Sequence, residues 1–134
     1  MIMTNKKKPL LEHQEQKLVV SYFGKKYPKY YGCFWSTPNG AVYGGNKLQR
    51  FKQSAKLKAE GMLPGVADLC FMVPRGEYHG LFIEMKRSNG TEKSLSEPQV
   101  EFIDNMNEQG YFAVWCAGHK EAIEVIDEYM GLRD

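Results

Sequence analysis

The chain has 134 residues, 43% hydrophobic and 25% charged, which is ordinary for a globular protein and enough for one domain with a real core. No apolar run approaches the roughly 20 residues that span a bilayer, the N-terminus MIMTNKKKPLLEHQEQ lacks the apolar stretch of a secretory signal, and Cys33, Cys70 and Cys116 are too few and too scattered for a disulfide framework or a zinc site. The net charge of +2 conceals an asymmetry, +9 over residues 1–60 and −7 over residues 61–134, which suits either a basic surface for a polyanion or two solvated helix faces.

In chain order, residues 1–9 read as a polar, basic, mobile tail. A single domain is expected from residue 10 to residue 134. A helix is expected from Leu10 to about Gly24, with Leu11, Leu18, Val19, Tyr22 and Phe23 at helical spacing. Lys25–Tyr31 is a basic loop, Gly32–Ser36 a short aromatic strand, and Thr37-Pro38-Asn39-Gly40 a turn. Asn46 to Glu60 reads as a second helix, stopped by Gly61. Ala67–Val73 is apolar apart from Asp68, as in a buried strand. Pro74-Arg75-Gly76 starts a hairpin turn, and Gly80–Lys86 is the return strand. After a polar loop, Ser96–Gln109 is a third helix, Tyr111–Cys116 a last strand and His119–Met130 a last helix. Strands joined by a tight turn pair antiparallel, and strands joined through a helix pair parallel with a right-handed crossover. The expected fold class is α/β, a mixed central sheet flanked by helices. The cysteines are expected to be reduced, mostly buried thiols of a cytoplasmic protein.

Carboxylates set in apolar strands are unfavourable unless a cation or hydrogen-bond donor compensates them. Glu84 and Lys86, two apart, point to one face of their strand, and Asp68 lies on the preceding strand across the hairpin. The two carboxylates and the Met85 backbone carbonyl can offer oxygen ligands to Mg²⁺, with waters completing the octahedron. Such an ion polarises a phosphate and acidifies a bound water, beside which Lys86 orients the water or neutralises developing charge. The plainer alternative is a surface Glu84–Lys86 ion pair worth about 0–1 kcal/mol, with Asp68 capping a loop.

Four further features each admit two readings. Ser96 and Gln99 fit a capping box, yet Gln99 can also face the metal or a phosphate. On a helical wheel Glu15 falls within the apolar stripe of the first helix and Glu12 at its edge, so either can reach the site, or both are ordinary first-turn acids. Lys47, Arg50, Lys52, Lys56 and Lys58 share the second helix with no acid before Glu60, as in a DNA-phosphate-tracking surface or a solvated face. Tyr30, Tyr31, Phe34 and Trp35 suit a core better than a stacking platform. His13, His79 and His119 show no ligand spacing and read as incidental.

Gly61-Met62-Leu63-Pro64-Gly65-Val66-Ala67-Asp68, then Tyr78-His79-Gly80-Leu81-Phe82-Ile83-Glu84-Met85-Lys86-Arg87, then Gln99, resembles the VRR-NUC branch of the PD-(D/E)xK nuclease superfamily. The likeness extends to Pro38-Asn39-Gly40, Gly110-Tyr111 and the closing helix with Ile126 and Tyr129, and covers most of the chain from Glu12. Ala67 stands where the motif often has proline. The stand-alone length is similar to that of small bacteriophage members, which would place the protein in the cytoplasm of a bacterial host. The resemblance implies a restriction-endonuclease-like fold and a Mg²⁺- or Mn²⁺-dependent endonuclease acting on DNA. It implies Asp68 and Glu84 as metal ligands, Lys86 as catalytic lysine, Gln99 as a further motif residue, and a helix glutamate matching Glu12 through the E-x3-Q pattern to Gln16. Arg87 joins the second-helix cations as a DNA contact. Similarity to archaeal junction resolvases implies a homodimer cutting four-way junctions. A flap-directed or non-specific nuclease, a catalytically silent DNA-binding module and a dimeric scaffold are the rival expectations.

Overall fold

The structure, a computed structural model, describes residues 8–38 and 44–133. Residues 1–7 of the expected tail and the Asn39-Gly40 turn lie outside the described residues. The elements follow the expected order: α1 (Glu12–Lys26), β1 (Phe34–Ser36), α2 (Lys47–Ala59), β2 (Leu69–Phe71), β3 (Leu81–Lys86), α3 (Glu97–Glu108), β4 (Phe112–Ala117) and α4 (Gly118–Met130). Short 3-10 turns occupy Glu92–Ser94 and Pro28–Cys33, the latter across the end of the expected Lys25–Tyr31 loop and the start of the expected Gly32–Ser36 strand. The strands make one mixed sheet in the order β1-β2-β3-β4. β1, β2 and β3 pair antiparallel, and β3 and β4 pair parallel across the α3 crossover.

β2 is shorter than the expected Ala67–Val73. Thr37, beyond the end of β1, donates from its amide to the Asp68 carbonyl (2.9 Å) and from its hydroxyl to the Ala67 carbonyl (2.7 Å). These bonds satisfy the backbone there without a regular ladder.

β3 is covered on both faces, which is why five of its six residues are buried. Leu81, Ile83 and Met85 pack with Val19 and Phe23 of α1 and Ala122, Ile126 and Tyr129 of α4. Phe82 points the other way and meets Phe102 of α3 edge-on, ring centroids 5.2 Å apart. Period-2 alternation then sets Glu84 and Lys86 on the α3 face.

α1 departs from its expected stripe. Its buried positions are Glu15, Val19 and Phe23, at i, i+4 and i+8, while Leu11 and Leu18 are exposed. Phe23 stacks on Phe34 at 4.1 Å and meets Phe71 edge-on at 5.1 Å. Tyr22 and Tyr27 both donate their hydroxyls to Asp127 of α4, at 2.6 and 2.5 Å, and Lys26 lies 3.0 Å from the same carboxylate. Of the aromatic cluster expected in the core, Phe34 enters it, whereas Tyr31 and Trp35 stay exposed. Cys70 and Cys116 are buried, Cys33 is partly so, and all three are free thiols. Among the described residues no helix is long and apolar enough to cross a membrane.

One glycine fixes how the loop before β2 meets α3. Gly65 has φ +87°, and a Cβ there would lie 2.3 Å from the Pro98 carbonyl group and 2.7 Å from the Gln99 amide nitrogen. Only glycine permits this approach, and it brings the Asp68 segment against the helix that carries Gln99.

Candidate active site

The β2–β3 register pairs Leu69 with Ile83. Continued by one residue, it sets Asp68 opposite Glu84. Asp68 is fixed by its neighbour: the Met85 amide donates to its Oδ2 at 2.8 Å. Glu84, only 3% exposed, accepts from Gln99 Nε2 at 2.7 Å on Oε1 and lies 3.7 Å from Lys86 Nζ through the same oxygen. Its other oxygen, Oε2, is buried with no hydrogen-bond partner. A carboxylate oxygen left so is rare and asks for a cation or a proton.

Burial supplies the larger perturbation. It raises the Glu84 carboxyl to about 8, with the nearby Asp68 charge pushing the same way and Lys86 opposing. Asp68 is raised as well, again chiefly by burial, against the Met85 hydrogen bond. Two adjacent carboxyls, compensated only in part by the Met85 amide, Gln99 and Lys86, form a site that a divalent cation would complete.

Gln99 forms the expected cap and also reaches the Glu84 carboxyl. It is the N3 residue of a capping box: the Ser96 amide donates to its Oε1 at 2.9 Å, and its own amide donates to Ser96 Oγ at 3.3 Å. Because Oε1 is held by the cap, Nε2 is directed at Glu84. The cap thus positions the acid.

The two α1 glutamates separate. Glu12 Oε1 lies 3.9 Å from Lys86 Nζ, so Glu12 borders the site with its side chain half exposed. Glu15 turns away and is 2% exposed. Its Oε2 accepts from the His119 backbone amide (2.5 Å) and lies 2.6 Å from His119 Nδ1, at the first turn of α4. His119, expected to be incidental, is therefore part of the clamp that holds α1 to α4. The buried acid in α1 pointed to a partner, but one 104 residues away. Among the described residues no three His, Cys, Asp or Glu side chains converge as a metal-binding group. The side-chain donors brought together here are Asp68 and Glu84.

The basic residues divide too. Lys47, Arg50, Lys52, Lys56 and Lys58 all lie exposed on α2 but are spread around it rather than along one side, and Lys56 pairs with Glu60 at 3.9 Å. Arg87, expected as a DNA contact, also serves the fold. Its Nε donates to the Leu10 carbonyl (3.0 Å) and its Nη2 to the Pro9 carbonyl (2.8 Å), so it tethers the segment leading into α1. A cavity of about 300 Å³ beside the centre is lined by Ser54 and Lys58 of α2 and by Gly65, Ser96 and Gln99.

Comparisons with known proteins agree with this fold. The model of the VRR-NUC domain family matches residues 11–120. A solved structure described as a VRR-NUC domain protein is similar at 28% identity, with a TM-score of 0.79, over 96% of this chain and 94% of its own. No curated protein matches. The chain belongs to the VRR-NUC domain family, and its function is of the nuclease type.

Proposed function

We propose that the protein is a divalent-metal-dependent endonuclease that hydrolyses phosphodiester bonds in branched DNA, acting as a homodimer on four-way junctions. The observation that carries the metal is the buried, unpartnered Oε2 of Glu84 beside Asp68. Asp68, Glu84 and the Met85 carbonyl would hold Mg²⁺ or Mn²⁺, which when bound supplies Lewis-acid polarisation of the phosphate and an acidified water. Gln99 keeps Glu84 oriented. Lys86, held between Glu84 and Glu12, places an ammonium where negative charge develops on the phosphate. Lys47, Lys52, Lys56 and Lys58, which flank one side of α2, contact DNA phosphates, giving affinity that depends on backbone charge rather than base sequence. The homodimer and the four-way substrate rest on the similarity to junction resolvases.

The test is cleavage of end-labelled linear, flapped, forked and four-way DNAs in Mg²⁺ or Mn²⁺, with cut positions mapped. Paired, symmetric nicks on the four-way junction are expected, with binding that weakens steeply as salt rises. Cuts confined to one arm of a flap would contradict the junction reading. Salt-sensitive binding without any cutting would leave a silent DNA-binding module in its place.

A further inference from the structure

Of the four α-helices among the described residues, α2 alone has no buried residue. Phe51 is 71% exposed and Leu48 61%. On a wheel of 100° per residue, Phe51, Ala55, Leu48 and Ala59 fall within about 80° of one another. Lys47 and Lys58 border this stripe on one side, and Lys52 and Lys56 on the other. No acid lies within α2. An apolar stripe between two rows of cations is unlike either a core face or a simple solvated face.

Such a stripe fits a partner that presents an apolar flat surface flanked by negative charge. A nucleobase released from its stack, with a phosphate on either side, has that character. The placement of α2 favours DNA over protein. Its Ser54 and Lys58, at the edge of the stripe, line the same cavity as Gln99, the residue that holds Glu84, so this edge of α2 lies beside the reacting centre. The protein rival is a second copy offering the acidic side of α3, with Glu97, Glu101, Asp104 and Glu108 around Val100.

We propose that Phe51, with Leu48 beside it, is the element that selects branched DNA. Its ring stacks on a base unpaired at the branch point, while Lys47, Lys52, Lys56 and Lys58 hold the flanking phosphates. This rests on the nuclease reading above and assigns the substrate feature that α2 detects. Linear duplex offers no unstacked base, so it meets the cations alone.

The test compares wild type, Phe51→Ala and Phe51→Trp by binding in EDTA, which separates it from cleavage. The probes are a four-way junction with 2-aminopurine at the branch point and a linear duplex of the same length. Because Phe51 is exposed, its replacement leaves the fold intact. Wild type is expected to change the probe fluorescence on binding, and Phe51→Trp to retain the change. Phe51→Ala is expected to abolish it and to weaken junction binding about 10-fold, with linear-duplex affinity within about 2-fold. Equal losses on both DNAs, or no loss on either, would overturn the inference. So would dissociation of a wild-type dimer to monomers by Phe51→Ala in sedimentation, which would assign the stripe to a second copy. A wild-type protein that binds no DNA sinks the nuclease reading itself. Binding with a probe signal indifferent to position 51 sinks this inference alone.

Discussion

Replacing Glu84 by glutamine should abolish cleavage, by about 10³-fold or more, and should also raise the melting temperature of the metal-free protein near pH 8. Both effects have one cause. The Glu84 carboxyl is raised from 4.5 to about 8, first by burial and then by the Asp68 charge. In the metal-free protein the folded state therefore binds a proton that the unfolded chain has already released. Stability is complete below about pH 4.5 and is lost as pH rises toward 8, the direction in which Asp68 also acts. Glutamine removes the buried charge and can still accept from Gln99. The variant should melt roughly 5 °C or more above wild type near pH 8 and match it near pH 5. Scanning calorimetry in EDTA at the two pH values, beside a cleavage assay, reads both effects. Added Mn²⁺ should reverse the order, stabilising wild type and leaving Glu84→Gln unchanged. A variant that loses activity but gains no stability near pH 8 would mean that Glu84 is not a strained acid.

The second large effect is expected at Glu15, outside the reacting centre. Glu15→Ala should destabilise the fold by about 3 kcal/mol, a fall of roughly 10 °C in melting temperature. The change strips the His119 backbone amide and ring of their shared acceptor and leaves a small cavity between α1 and α4. Glu15→Gln keeps an acceptor oxygen and the volume, and should lose about 1 kcal/mol. Thermal melts of the two variants check the difference. Equal, small losses would show that the clamp contributes little. Activity should fall only modestly in both, because Glu12 rather than Glu15 borders Lys86.

The reacting centre was legible because its rules are local. Alternation put Glu84 and Lys86 on one face, and a hairpin placed Asp68 across from them. Gln99 was legible as a cap because the capping box has fixed spacing; that the cap also aims its amide at Glu84 depends on the close approach at Gly65. The rest depended on packing between distant elements. A wheel placed Glu15 on the inner side of α1 but could not name His119, and it brought Leu11 and Leu18 inside although α4 and the sheet cover only the Glu15–Val19–Phe23 line. Arg87 reads as a surface cation beside the motif; its bonds to the Pro9 and Leu10 carbonyls arise from the path of the chain into α1. The amphipathic character of α2 predicts a helix but not whether its apolar stripe is covered.

The most direct measurement is a calorimetric titration of Mn²⁺ into wild type and Glu84→Gln near pH 7, in two buffers of different ionisation enthalpy. Since the Glu84 carboxyl titrates at about 8, it is protonated at that pH without metal. Wild type should bind at a site that releases about one proton per ion, and Glu84→Gln should bind far more weakly with no release. Absence of binding by wild type, or equal binding by the variant, would contradict a metal held between Asp68 and Glu84.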